Sequence, residues 1–367
     1  MTPRSSKIVH FSTVHPANDT RVFHKECRTL AGAGYRVTLY ARCASDAEID
    51  GVVVKRVDEH TGRVRRMVLG PVQLLRSLLR ERADLYHFHD PELLPLGLIL
   101  RALRKRVVYD AHEWVRGDVG SKPYLPDFVA RVLGYVAWSM EQLGSRVFAH
   151  VVAATPFIAS QFDGKHVTII HNYPDLTELA QGHAVPWIDR ESAAAYVGGL
   201  NDERCGRELL LAAALLGKAS ATLVVAGPVA DGLDPTGTNS VEYLGVLDRQ
   251  GVADLLGRVR CGVVLLRDLP NTRDAMPTKF FEYLASGLPV VVSASTRPIA
   301  DMTRELGCGL VVDECDPEQI AAAISQLLEP GAAAEAMGGR GRATVLARLN
   351  WSAEAQRLVD LYDRLLA

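Results

Sequence analysis

At 367 residues the chain is too long for one ordinary hydrophobic core and suits two domains of common size. Its 48% apolar and 23% charged residues are globular values that exclude a disordered chain, and a net charge of −2 argues against a general nucleic-acid binder. Six cysteines (Cys27, Cys43, Cys205, Cys261, Cys308, Cys315) form no C-x-x-C pair or tight cluster, so they read as reduced thiols of a cytoplasmic protein. No apolar run approaches the roughly 20 residues of a spanning helix, and residues 7–11 run straight into a polar loop, which predicts no leader peptide.

Strand and helix patterns alternate from the start. Strands are expected at 8–11, 35–41, 52–57, 85–88 and 106–109, with helices at 21–33, about 68–82 and 91–104. A helical stretch near 127–148 leads to further strands at 151–154 and 167–170. Short β runs separated by helices predict a parallel, doubly wound sheet. The segment 173–190 is polar and broken by Pro174, Gly182 and Pro186, a credible linker. The pattern then restarts with strands at 195–197, 221–226, 241–243, 261–266, 288–292 and 310–312. Helices are expected at 205–216, 249–257, 317–328 and 351–366. The fold class is therefore α/β, with two Rossmann-like, doubly wound parallel-sheet domains.

In such sheets ligands bind at the carboxyl ends of strands, which directs attention to the loops there. The loop after the first strand carries His15, Asp19 and Arg21, and has no G-x-G-x-x-G for a dinucleotide. Those three residues could contact a ligand; equally, Asp19 or Thr20 could cap the next helix while Arg21 forms a surface pair. His87-Phe-His89-Asp90-Pro-Glu92 ends another strand, with His87 and His89 on one face. Two histidines and a carboxylate would suit zinc or iron, but no third spaced ligand is evident and no metal set is assigned. Asp90, ahead of Pro91, is placed to cap a helix. His112 and Glu113 follow the next strand, and His89 and Glu113 join the candidate ligand contacts.

In the second half, Tyr196-Val-Gly-Gly-Leu-Asn-Asp-Glu-Arg204-Cys-Gly206 reads as a strand, a glycine turn and a helix start. Then comes Asp274-Ala-Met-Pro-Thr-Lys-Phe-Phe-Glu282-Tyr-Leu-Ala-Ser-Gly-Leu-Pro-Val-Val-Val-Ser293. Pro277 suits the first turn of a helix, and Gly287 suits its C-terminal stop. The free backbone N–H groups of Thr278 and Lys279, with the Lys279 ammonium, make an anion site whose usual occupant is phosphate. Asp274 and Glu282 bracket it and would accept hydrogen bonds from sugar hydroxyls. Phosphate donors flanked by hydroxyl acceptors describe a receptor for a sugar nucleotide.

This acid-x7-acid motif, with its Ala-Ser-Gly-Leu-Pro-Val-Val tail, resembles the donor site of the retaining family-4 glycosyltransferases, which have the GT-B fold of two domains facing a central cleft. The resemblance implies domains at 1–183 and 184–350, with the helix 351–367 crossing back onto the first. It implies that Glu282 holds the donor ribose and that Asp274, a methylene shorter than the usual Glu, holds the donor sugar. His112 then touches the sugar or phosphate. Arg204 takes the position of a diphosphate-binding Lys, whereas Gly199 stands where an Arg is usual, so Lys279 would supply the second cation. Thr278, Gly198 and Gly199 line the same donor site. The run around Val246 resembles the turn whose backbone cradles the base. The usual Gly-Gly loop of the first domain is missing, and the His-Pro-x-x-Asp-Thr-Arg loop resembles a separate branch.

By this resemblance the chain is a retaining, metal-independent transferase of the hexosyl type, with no metal and no cofactor, taking a UDP- or GDP-sugar. Its acceptor, contacted by His15, Asp19, Arg21, His89 and Glu113, would be a small molecule, a glycan or a lipid-linked glycan. Three other readings stay open: a sugar-nucleotide epimerase with the same fold and donor site, a phosphorylase-like enzyme that binds free phosphate in place of a nucleotide, and a non-catalytic nucleotide-sugar binder that keeps Glu282 and Arg204. The basic run Arg63, Arg65, Arg66, Arg76, Arg80, Arg82 lies along a helix with an apolar side (Val68, Leu74, Leu75, Leu78, Leu79). It fits a peripheral contact with an anionic inner membrane face, or a solvated face over a buried stripe.

Overall fold

The computed structural model describes residues 6–57, 63–115, 127–164, 166–179, 185–217, 221–329 and 331–367, with backbone alone for 63–71, 127 and 130. The chain divides into two compact units, Met1–Asn172 with Ser352–Ala367, and Tyr173–Trp351.

The first unit holds β1 (Lys7–Pro16), β2 (Arg36–Arg42), β3 (Ala47–Ile49), β4 (Val52–Arg56), β5 (Leu85–Phe88), β6 (Val107–Ala111), β7 (His150–Ala153) and β8 (Val167–Ile169). They form one sheet in the order β3-β4-β2-β1-β5-β6-β7-β8, parallel except for the β3–β4 pair. Strands β1, β5 and β6 are buried on both faces, as expected of central parallel strands covered by helices. The topological switch lies between β1 and β5, whose register sets Ile8 beside Leu85, His10 beside His87 and Phe11 beside Phe88.

The expected helix 21–33 has two windings. Thr20–Cys27 is a wide π turn in which Asp19 O accepts from both Phe23 N and His24 N, and Arg28–Gly32 continues as α-helix. The i→i+5 winding puts Arg21 and Glu26 on one inward face, and both are buried. Helix Arg63–Glu81 buries Leu74 and Leu78 and exposes Arg76 and Arg80, and Arg82 just beyond it is exposed too. The side chains of Arg63, Arg65, Arg66 and Val68 lie outside the described residues. Helix Trp351–Leu366 packs into this unit from Ser352 onward, and its Tyr362 is fully buried.

The second unit holds β9 (Glu191–Val197), β10 (Thr222–Ala226), β11 (Val241–Tyr243), β12 (Val259–Val264), β13 (Val290–Ser293) and β14 (Gly309–Val312). Their order is β11-β10-β9-β12-β13-β14, all parallel, with the switch between β9 and β12. This unit begins at Tyr173, whose ring packs edge-on against Phe281 at 4.8 Å, so the segment expected as a linker is partly folded into it. Among the described residues no helix is long and apolar enough to cross a membrane.

Candidate donor site and the polar loops of the first unit

At the switch point of the second sheet, three turns are stitched together by backbone. Gly198 N donates to Ala226 O at 2.8 Å and Gly227 N to Gly245 O at 2.7 Å, while Tyr243 OH donates to Gly227 O at 3.0 Å. Tyr196, buried at the end of β9, donates from its hydroxyl to Gly199 O at 2.8 Å and so fixes the glycine turn. Gly198 has φ +128, a conformation side chains avoid. A Cβ there would stand 3.3 Å from Lys279 Nζ, and one at Gly199 3.4 Å from Arg204 Nη1. The two glycines thus leave room for two cations against one turn.

Lys279 comes from helix Thr278–Ala285. Pro277 is its N-cap, one place earlier than the first-turn position expected, because its ψ of 131 is extended. The stop is a Schellman turn, with Leu288 N on Tyr283 O at 3.0 Å, Gly287 N on Leu284 O at 2.9 Å, and Gly287 at φ +74. No acceptor in the helix serves the N–H groups of Thr278 and Lys279. Lys279 as a whole is half-buried, but Nζ is sealed from solvent, has no hydrogen-bond partner among the described residues and lies 4.3 Å from the Tyr196 ring centre. Burial, with the neighbouring Arg204 charge, brings its pKa down to about 7.

The two acids are both engaged. Glu282, 6% exposed, accepts from Arg249 Nη1 at 3.0 Å, and Arg249 Nε and Nη2 hold Glu178 Oε2 at 2.9 and 2.5 Å. Asp274 Oδ2 accepts from Arg297 Nη2 at 2.8 Å. Sequence reasoning missed Arg249, Glu178 and Arg297. The only signal was Asp248, which caps the helix opening at Arg249, and it says nothing about where that guanidinium points. Val246, in the loop beyond β11, is exposed.

The carboxyl ends of the first sheet carry a polar cluster with a different division of roles from that expected. Asp90 does not cap its helix through its side chain. It accepts from Ser12 Oγ at 3.1 Å, Thr13 N at 2.6 Å and Val14 N at 3.3 Å, tying down the C-terminal part of β1, where a loop is expected from the sequence. Asp19 caps the π turn by accepting from Arg21 N and Val22 N, both at 2.8 Å, and its Oδ2 meets His15 Nδ1 at 3.1 Å. Burial would raise the Asp19 pKa, but His15 and the backbone N–H groups bring it to about 2. For His15, burial lowers the pKa and the contact with Asp19 outweighs it, leaving a net rise.

Arg21 is neither a surface pair nor open to an acceptor. It is buried, grips Asp110 with Nε at 2.8 Å and Nη2 at 2.6 Å, and donates from Nη1 to Ile170 O at 3.0 Å. His89 is also fully buried, between His10 Nδ1 and Asp110 Oδ2 at 3.0 Å each, so the acceptor contact expected of it is closed off. His112 is half-buried with Nδ1 3.6 Å from Asp110 Oδ2, and its ring centre is 5.2 Å from that of His15. Glu113 is exposed.

Paired α/β units with parallel sheets of this order, one carrying a glycine turn lined by two cations, define a glycosyltransferase of the GT-B class. The same fold recurs in sucrose-phosphate synthase from Thermosynechococcus elongatus, at a TM-score of 0.74 and 17% identity over 98% of this chain and 99% of that one. Anabaena HepE in complex with UDP and glucose matches at 0.71 and 14% identity, over 98% and 100%. A trehalose-6-phosphate protein of E. coli bound with UDP-2-fluoro glucose matches at 0.70 and 15% identity, over 97% and 99%. No curated protein matches the sequence. Residues 20–178 match the model of Glycosyltransferase Family 4, and residues 191–330 that of Glycosyl transferases group 1. The chain belongs to this family of glycosyltransferases.

Proposed function

We propose that the chain moves a hexosyl group from a UDP-sugar to an acceptor hydroxyl with retention of anomeric configuration and without a catalytic metal. The observation that carries this reading is the sealed Lys279 ammonium beside Arg204, both against the Gly198–Gly199 turn and next to the free N–H groups of a helix start. Departure of a nucleoside diphosphate leaves negative charge on oxygen. Two cations and a helix N-terminus already fixed in place stabilise that charge without a divalent ion. Glu282 accepts the ribose diol, and Asp274 accepts a hydroxyl of the donor sugar. The backbone around Val246, tied to Gly227, supports the base.

The bond from the anomeric carbon to phosphate oxygen breaks as the acceptor oxygen bonds to the same carbon from the same face. The acceptor proton passes to the leaving phosphate, so no protein nucleophile is needed. UDP, named with two of the similar structures, favours a uridine donor over GDP here. Six free cysteines support a reducing, cytoplasmic setting. The test is a melting-temperature screen of nucleoside diphosphates and their sugars, then NMR of the product anomer. UDP should stabilise the fold through linkage, and added Mg²⁺ or Mn²⁺ should not change turnover in EDTA. Product formed with no acceptor present, or turnover that requires added Mg²⁺ or Mn²⁺, counts against this reading.

A further inference from the structure

The His-x-His of β5 has surroundings that glycosyl transfer does not use. His10 lies beside His87 in the sheet register, and the ring centres of His10, His87 and His89 are 4.6, 4.7 and 5.2 Å apart. Glu26, carried inward by the π turn, completes the group. All four side chains are buried, and each can bring one ligand atom within 4.8 Å of the other three. Neither carboxylate oxygen of Glu26, nor His87 Nε2, has a hydrogen-bond partner among the described residues. Glu26 Oε1 is still ion-paired with Arg21 Nε at 3.2 Å, which leaves Glu26 Oε2 and His87 Nε2 as buried polar atoms that are costly without a partner.

The outer nitrogens of the rings, by contrast, are held. His89 Nδ1 faces Asp110 Oδ2 at 3.0 Å, and Tyr362 OH faces His87 Nδ1 at 2.5 Å and His10 Nε2 at 3.2 Å. Metal-binding histidines are arranged in this way, the outer N–H fixed by a carboxylate or hydroxyl and the inner lone pair left for the ion. The Arg21 charge next to Glu26 is offset by its two-point grip on Asp110.

We propose that His10, Glu26, His87 and His89 bind one divalent transition-metal ion of the zinc class. Three imidazoles and one carboxylate are a borderline donor set that suits Zn²⁺ and excludes Mg²⁺ or Ca²⁺ as the preferred ion. His10 Nδ1 and His89 Nε2 are 3.0 Å apart, so a small splaying lets both sit at about 2.0–2.1 Å from one ion. The proton now shared by that pair moves to His10 Nε2, where the Tyr362 oxygen accepts it. With all four ligands buried, no coordination position opens to substrate, so the ion is structural. It joins β1, β5 and the π turn, and through Tyr362 it fastens the C-terminal helix to the first unit. It is separate from the leaving-group chemistry at Lys279 and Arg204.

The test is the metal content of the full chain, produced with Zn²⁺ in the medium, freed of loose ions by gel filtration with chelator, and read by plasma mass spectrometry. Wild type should hold about one zinc per chain, and so should Lys279→Met. Glu26→Gln and His87→Gln should lose most of it. Co²⁺ supplied in place of Zn²⁺ should give the visible absorption of a four-coordinate site, absent in the same two variants. If those variants do not fold, wild type decides alone, because prolonged chelation should lower its Tm and Zn²⁺ should restore it. Wild-type protein that carries neither ion and melts identically with and without them overturns the proposal. So does metal that persists undiminished in both variants.

Discussion

Arg249 reaches Glu282 Oε1 with Nη1 at 3.0 Å while its other two nitrogens hold Glu178 Oε2, so the acid assigned to the donor ribose is fixed by a neighbour 33 residues away. A carboxylate held in one rotamer is preorganised for a diol, because little side-chain freedom remains to be lost on binding. Glu282→Gln should weaken UDP binding by about 1.5–3 kcal/mol, the value of a hydrogen bond to a charged acceptor. Arg249→Met should cost less, since its guanidinium is partly exposed and an ion pair of that kind is worth only about 0–1 kcal/mol. Isothermal titration with UDP measures both, and a Glu282→Gln protein with wild-type affinity would remove the ribose assignment.

Asp274 has a different expected signature. Its partner Arg297 is exposed, so their ion pair adds little to stability, and the carboxylate can turn to a sugar hydroxyl at small cost. Asp274→Asn should lower kcat/KM for the intact sugar nucleotide by roughly tenfold or more while leaving the Kd of UDP unchanged. Equal losses for both ligands would show that Asp274 acts on the nucleotide or on the fold instead of the sugar.

Local signals explain what was legible in the sequence. The stop at Gly287, and the helices 317–328 and 351–366, rest on caps and periodicity within a few residues, and the structure reproduces their bounds. Alternating β and α segments were enough for two parallel sheets. The edge strand Ala47–Ile49 and the helix Arg297–Leu306 were not expected, the first for its exposed residues and the second for its short apolar pattern. Partnerships across the sheets were unreadable in principle. His10 meets His87 only because β1 and β5 pair in one particular register, and Arg249 at the start of one helix meets Glu282 within another across 33 residues of chain. The π turn was hidden for the same reason, since its winding serves the buried contacts of Arg21 and Glu26 more than local propensity.

Arg21 should be a stability residue of the first unit. Its guanidinium and the Asp110 carboxylate are both buried, and each leaves the other uncompensated if removed. Breaking such a pair costs about 3–5 kcal/mol, so Arg21→Met should lower the denaturant midpoint strongly. Arg21→Lys should rescue little of this, because an ammonium cannot span both Asp110 oxygens and Ile170 O at once. Urea unfolding of the three proteins measures this, and a loss below about 1 kcal/mol for Arg21→Met would place the pair among weak surface bridges.

Lys279 gives a pH dependence whose sign can be worked out. Its pKa in the folded protein is lowered from 10.5 to about 7 by burial and by Arg204, so the unfolded chain binds the extra proton between those two values. Stability therefore carries a penalty below pH 7 that is relieved as pH rises from 7 towards 10.5. Lys279→Met removes the penalty and should raise the midpoint more at pH 6 than at pH 9. Ligand binding reverses the sign. A diphosphate beside Nζ favours the ammonium, so above pH 7 binding takes up a proton and affinity falls by up to about tenfold per pH unit. Titration calorimetry with UDP at pH 8, in buffers of different ionisation enthalpy, should find close to about one proton taken up by wild type and none by Lys279→Met. The same variant should lower kcat as well as affinity, since the charge it meets grows in the transition state. If Lys279→Met binds UDP as tightly as wild type with the same proton uptake, the titrating group lies elsewhere, and the leaving diphosphate meets only Arg204 and the helix N–H groups.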